Sequence, residues 1–105
     1  MQSAASKFSW KSMLLFFAKE NLGRMTRLGI FEGSDDYWIE SGLPLTAIVV
    51  NERGELPSVE LVLGDYTHAV NDAMEARIVL SHSGEEDGLN ITDSKGRKTL
   101  LRFES

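Results

Sequence analysis

Apolar residues recur along this chain with two different periods, and the change between them falls near Arg24. From about Trp10 to Leu22 the spacing is helical. At about 100° per residue, Trp10, Met13, Leu14, Phe17 and Ala18 fall on one stripe, the face that a helix turns to a core. Ser9 predicts an N-cap, with Phe8 placed to staple onto Met13. Asn21, Leu22 and Gly23 predict the stop, because glycine accepts the left-handed conformation that ends helices. Leu15 and Phe16 lie off the stripe, beside Lys11, Ser12 and Lys19, so this helix carries more apolar surface than one packing face requires.

After Arg24 the texture becomes short β-branched runs separated by turn residues. "RMTRLGIF" reads as a strand, "EGSDD" as the turn after it and "YWIES" as a second strand. Residues 42–44 break the chain before "LTAIVVN", a nearly continuous apolar run suited to a central strand covered on both faces. "ERGELP" turns it round into the alternating "SVELVL". Gly64 and Asp65 turn into "YTHAV", and Asn71 and Asp72 into "MEARIVLS". The final hairpin is the clearest: "GLNIT" and "KTLLRF" flank Asp93-Ser94-Lys95-Gly96, a type I turn with glycine at the left-handed bulge position.

One helix followed by this many short strands predicts an α+β fold. The N-terminal helix is expected to pack on a curled antiparallel sheet, or on a partly open small β-barrel, of six to eight strands. With 105 residues there is room for one core; residues 1–9 are expected to be a flexible N-terminus and residues 10–105 the domain.

Charge adds an asymmetry. Residues 1–31 carry five lysines and arginines against Glu20 alone, a net +4, whereas the remainder carries six basic and fifteen acidic side chains, a net −9. An acidic body repels phosphate, so nucleic acid is not expected as a partner. Cysteine is absent, which excludes disulfides, thiolate metal sites and cysteine nucleophiles. The run "MLLFFA" is too short for a secretion signal and no stretch approaches a membrane span, so a cytoplasmic location is expected. A basic helix bearing Lys7, Lys11 and Lys19 suggests peripheral membrane attachment, against which the acidic body counts.

The candidate chemistry is sparse. "SHSGEEDG" holds His82 and the consecutive carboxylates Glu85, Glu86 and Asp87, without the alternating oxygen ligands of a calcium loop. It reads as a solvated hairpin loop. His68 in "YTHAV" has Asp65 and Asp72 as candidate partners for general-base work, but no nucleophile or oxyanion-binding turn stands beside it in sequence. No "GxGxxG" or "GxxxxGK" occurs. No catalytic set, cofactor or metal site is therefore expected.

Helical "W" with "FF" and a terminal glycine, then "LPLTAI", "VELVLGD", "THAV" and "LNITDSKGRKTLLRF", follow one another in an order that resembles a bacterial domain-of-unknown-function family, number five-three-three-five. The resemblance implies the same order of elements and a bacterial origin. It carries no activity with it.

The functional expectation is a non-catalytic binding or protein-interaction module. It would dock through Leu15 and Phe16 on the free flank of the helix, or through Tyr37 and Trp38, aromatic residues beside charge of the kind that dominates interfaces. The partner is either another protein or a second copy of the chain, as a homodimer. The alternative is a small metal-dependent or hydrolytic enzyme using His68 and nearby carboxylates.

Overall fold

A computed structural model of the chain describes residues 2–104, and the side chains of all of these except residues 2–10, 35 and 36. The helix, α1, runs over Gln2–Glu20. It starts well before Trp10, so Ser9 and Phe8 are interior helical positions and not a cap and its staple. The side chain of Trp10 lies outside the described residues. At the other end the expected stop is present: Gly23 has φ +85°, and the Phe17 carbonyl accepts both from the Asn21 side-chain amide at 2.8 Å and from the Asn21 main-chain N–H at 3.2 Å.

Seven strands follow: β1 (Met25–Glu32), β2 (Asp35–Asn51), β3 (Ser58–Leu63), β4 (Tyr66–Val70), β5 (Ala73–Leu80), β6 (Glu86–Asp93) and β7 (Lys98–Phe103). They form one antiparallel sheet in the order β4-β3-β2-β1-β7-β6-β5, curled into a half-barrel. The two edges, β4 and β5, are neighbours in sequence that do not pair. The chain between them turns at Asp72, whose φ is +54°, and is tied to its surroundings by Ala73 N–H to Pro57 O and Ser94 N–H to Asp72 O.

The curl depends on β2. "YWIES" and "LTAIVVN" are not two strands but the two arms of one 17-residue strand. Straight, it would measure about 55 Å at roughly 3.3 Å per residue, more than the longest dimension of the molecule, 39 Å. It bends at the residues expected to break it. Gly42 has φ +78°, and at Pro44 the strand changes partner, pairing with β1 before that point and with β3 after it. Main-chain groups at the corner are satisfied: Leu45 N–H donates to Arg24 O, Gly23 N–H to Leu45 O and Gly64 N–H to Pro44 O. The second arm is not covered on both faces. Leu45, Ile48 and Val50 are buried, but Val49 between them is 45% exposed.

Leu14, Phe17 and Ala18 of α1 belong to one buried cluster with Leu28, Leu45, Leu61, Leu89, Ile91, Leu101 and Phe103 from the sheet. The Phe17 and Phe103 rings stack at 5.7 Å. Arg24 lies over the Phe103 ring at 4.0 Å and donates to Asn21 Oδ1 and to the Glu86 carbonyl, while Asn21 donates to Glu86 Oε1. The helix end is thus held by hydrogen bonds and a ring stack as well as by burial.

Candidate functional site

The concave face of the sheet is filled by the core, so chemistry open to a ligand must come from the convex face, the helix flank or the edges. On the convex face the register sets side chains in three rows. Directly opposed residues on neighbouring strands project to the same side. The first row runs Ser41, Arg27, Arg102, Gly88 and Val79; the second Trp38, Gly29, Leu100, Asn90 and Arg77; the third Phe31, Lys98, Thr92 and Glu75.

Trp38 is the most defined element of this surface. It is 44% exposed, yet held from three sides by β1. Its benzo edge comes down on Gly29, where a Cβ would lie 2.7 Å from Cε3. The Arg27 guanidinium sits 4.5 Å from the ring centre, a cation–π contact, and the Phe31 ring meets it edge-on at 5.6 Å. Alternation along "RLGIF" builds this seat: Arg27, Gly29 and Phe31 share the convex face while Leu28 and Ile30 enter the core. Gly88 plays a related part farther along the sheet. A Cβ there would collide with the Leu101 carbonyl oxygen and with the side chain of Arg102, and Arg102 donates to Asn90 Oδ1 and to the Leu101 carbonyl.

Arg27 and Arg102 oppose each other directly across β1 and β7, and like charges in that relation destabilise a sheet. The Arg102 side chain is held below its ordinary pKa by burial and by Arg27, an effect that Asp87 opposes. Among the described residues, neither of these arginines nor Lys98 takes part in an ion pair; Arg77 is engaged with Glu75 at 3.1 Å.

The other expected residues are dispersed. Tyr37 opposes Ile30 whereas Trp38 opposes Gly29, so the two neighbouring rings point to opposite faces of β2 and do not form one site. Tyr37 is 53% exposed at the end of that strand. Leu15 and Phe16, 45% and 59% exposed, point away from the core; no groove of the sheet encloses them. His68 faces inward from β4 opposite Leu61 and opens on a hollow lined also by Asp72, Asp93, Arg97 and Thr99. Burial and then the nearby Arg97 charge push its pKa down, and no hydrogen bond ties it to Asp65 or Asp72 among the described residues.

The loop with His82 is a hairpin turn, closed by Ser81 N–H to Glu85 O and Gly84 N–H to Ser81 O. Its three carboxylates separate: Glu85 stays on the loop, Glu86 turns to Asn21, and Asp87 lies toward Arg102. Among the described residues, no group of three or more histidines, aspartates or glutamates stands within reach of one metal ion. No helix among them is long and apolar enough to cross a membrane.

Comparison of the chain with protein-family models, with curated proteins and with solved structures finds no match. The convex-face residues Arg27, Gly29, Phe31, Lys98 and Arg102 carry no motif. Their one local signal is the period-two placement of arginine, glycine and phenylalanine around Gly29.

Proposed function

We propose that the chain is a non-catalytic protein-interaction module, acting in the bacterial cytoplasm, whose docking surface is the convex face centred on Trp38. The seating of Trp38 supports this most directly. A large ring left half open on a surface usually keeps its rotamer freedom and loses it on binding, at a cost to affinity. Here Gly29, Arg27 and Phe31 fix the ring in advance. Tryptophan and arginine held together in this way are the residues that most often dominate the energy of an interface.

The test is capture of partners from native cell extract by the wild-type chain, by Trp38→Ala and by Leu15→Glu/Phe16→Glu, each confirmed folded by circular dichroism. Loss of the captured protein in the Trp38 variant alone is the expected result. Retention there, with loss in the helix variant, moves the docking surface to α1.

A further inference from the structure

Resting on that reading, we infer that the convex face takes an extended acidic segment of a protein partner, with two carboxylates four residues apart and an apolar side chain midway. Three observations converge on this pattern. Arg27 and Arg102 are a directly opposed like-charge pair with no ion-pair partner among the described residues. A carboxylate set between two guanidiniums turns their repulsion into two charge-assisted hydrogen bonds. Lys98 stands four positions along β7 from Arg102, about 14 Å at roughly 3.4 Å per strand residue, and is likewise without an ion pair among the described residues. Between the two cationic points the floor is Leu100 opposite Gly29, walled by Phe31 and the Trp38 ring. An extended peptide covers that distance in four residues, and its alternate side chains point the same way. Residues one, three and five then meet the arginine pair, Leu100 and Lys98.

The acids near this face whose side chains are described do not fill the positions. Glu75 is engaged with Arg77, Glu104 accepts from the Ser41 hydroxyl, and Asp87, although its charge acts on Arg102, makes no ion pair with it among the described residues. Single-stranded nucleic acid is the rival polyanion. It needs open ring faces for its bases, and the Trp38 ring already has Arg27 over it and Phe31 against it. The net charge of −5 further disfavours a continuous phosphate backbone, whereas a short segment with two carboxylates meets only the local cations.

The experiment titrates the protein with a synthetic twelve-residue peptide carrying glutamate-x-leucine-x-glutamate, by calorimetry and by the indole N–H resonance of Trp38. A peptide of the same composition with adjacent glutamates and an oligothymidylate of equal charge serve as comparisons. Saturable binding of the spaced peptide, a shifted Trp38 resonance, and at least tenfold weaker binding for the adjacent-glutamate peptide are expected. The same loss is expected in Arg27→Gln and in Lys98→Glu, at an exposed side chain, each confirmed folded by circular dichroism. Equal binding by both peptides, unchanged binding in both variants, or tighter binding of the oligonucleotide overturns the inference. Absence of peptide binding while partner capture still depends on Trp38 also overturns it, and leaves the docking surface itself standing.

Discussion

Phe16 on α1 and Trp38 on the convex face both leave an aromatic ring open to solvent, and their surroundings are built differently. On α1, Phe16 and Leu15 project from the helix with no described side chain bracketing them; on the convex face, Trp38 is bracketed by Arg27, Gly29 and Phe31. The helix flank is what remains once one stripe of an apolar helix has been buried. The Trp38 seat, in contrast, needs a glycine where a strand prefers a side chain, and it places a cation where it opposes another cation. Both features work against the sheet. A surface kept at a local cost to stability is a better candidate for function than one left over from packing.

The sharpest way to break this comparison begins inside the helix, where Phe16 and Phe17 are adjacent and opposite in burial. Phe17→Ala is expected to cost about 3–5 kcal/mol, through lost transfer energy and a cavity against Phe103. Phe16→Ala should change stability by no more than about 0.5 kcal/mol. Urea denaturation of the two variants checks both. Similar losses in the pair would mean that the helix flank is part of the core, and the contrast with Trp38 would collapse.

The next effect tests the seat itself. Gly29→Ala introduces a Cβ 2.7 Å from the Trp38 ring, and the ring has to move. A cost of about 1–2 kcal/mol is expected, with a changed Trp38 fluorescence or indole resonance. In a Trp38→Ala background the same glycine substitution should cost less, because only the Phe31 ring, 3.0 Å from the added Cβ, is then close, and the double-mutant cycle isolates the Trp38 contact. An undiminished penalty without the tryptophan would place the need for glycine at Phe31 or in the backbone instead.

How much of this could be read beforehand follows from which interactions are local. Strand limits, the stop at Gly23 and the Asp93–Gly96 turn follow from neighbouring residues, and Asp93 Oδ1 does accept from the N–H groups of Lys95 and Arg97. The bend at residues 42–44 is visible in sequence, but whether it ends a strand or turns a corner depends on β1 and β3 being on either side. The separation of Tyr37 from Trp38 was open to inspection, since consecutive strand residues face opposite ways. The rows of the convex face were not. Arg27 and Arg102 are 75 positions apart, and only the register of β1 with β7 brings them together. The early start of α1 escaped because Ser9 and Phe8 imitate a cap and staple, while the helical pattern before them is weak.

His68 offers a smaller contrast, between a polar side chain turned inward and the cations turned outward. Burial and Arg97 lower its pKa from 6.5 in the folded chain. The unfolded chain therefore binds more protons between the two values, and folding stability is full above about pH 6.5 and falls as the pH drops through the folded value. Denaturation midpoints measured from pH 7.5 to 4.5 should decline for the wild type, and less steeply for His68→Gln. A decline of equal steepness in the variant would assign the acid sensitivity to the carboxylates.

The smallest expected effect on stability carries the most weight for the comparison. Leu15→Glu/Phe16→Glu places two charges on a helix flank that is already exposed, so the monomer should keep its stability within about 0.5 kcal/mol. Self-association is a separate matter. Contiguous apolar surface marks interfaces, and a helix flank of this kind suits a second copy of the same helix. Light scattering across a dilution series, for the wild type and the double variant, separates the possibilities. A wild-type mass that falls on dilution, with a constant monomer mass in the variant, assigns the helix to self-association and leaves the Trp38 face for a different partner. A monomer in both cases leaves the flank without a role in assembly, because its exposure then brings no second copy. A variant that unfolds would mean that Leu15 and Phe16 contribute to the core, and the distinction between a leftover surface and a built one would be lost.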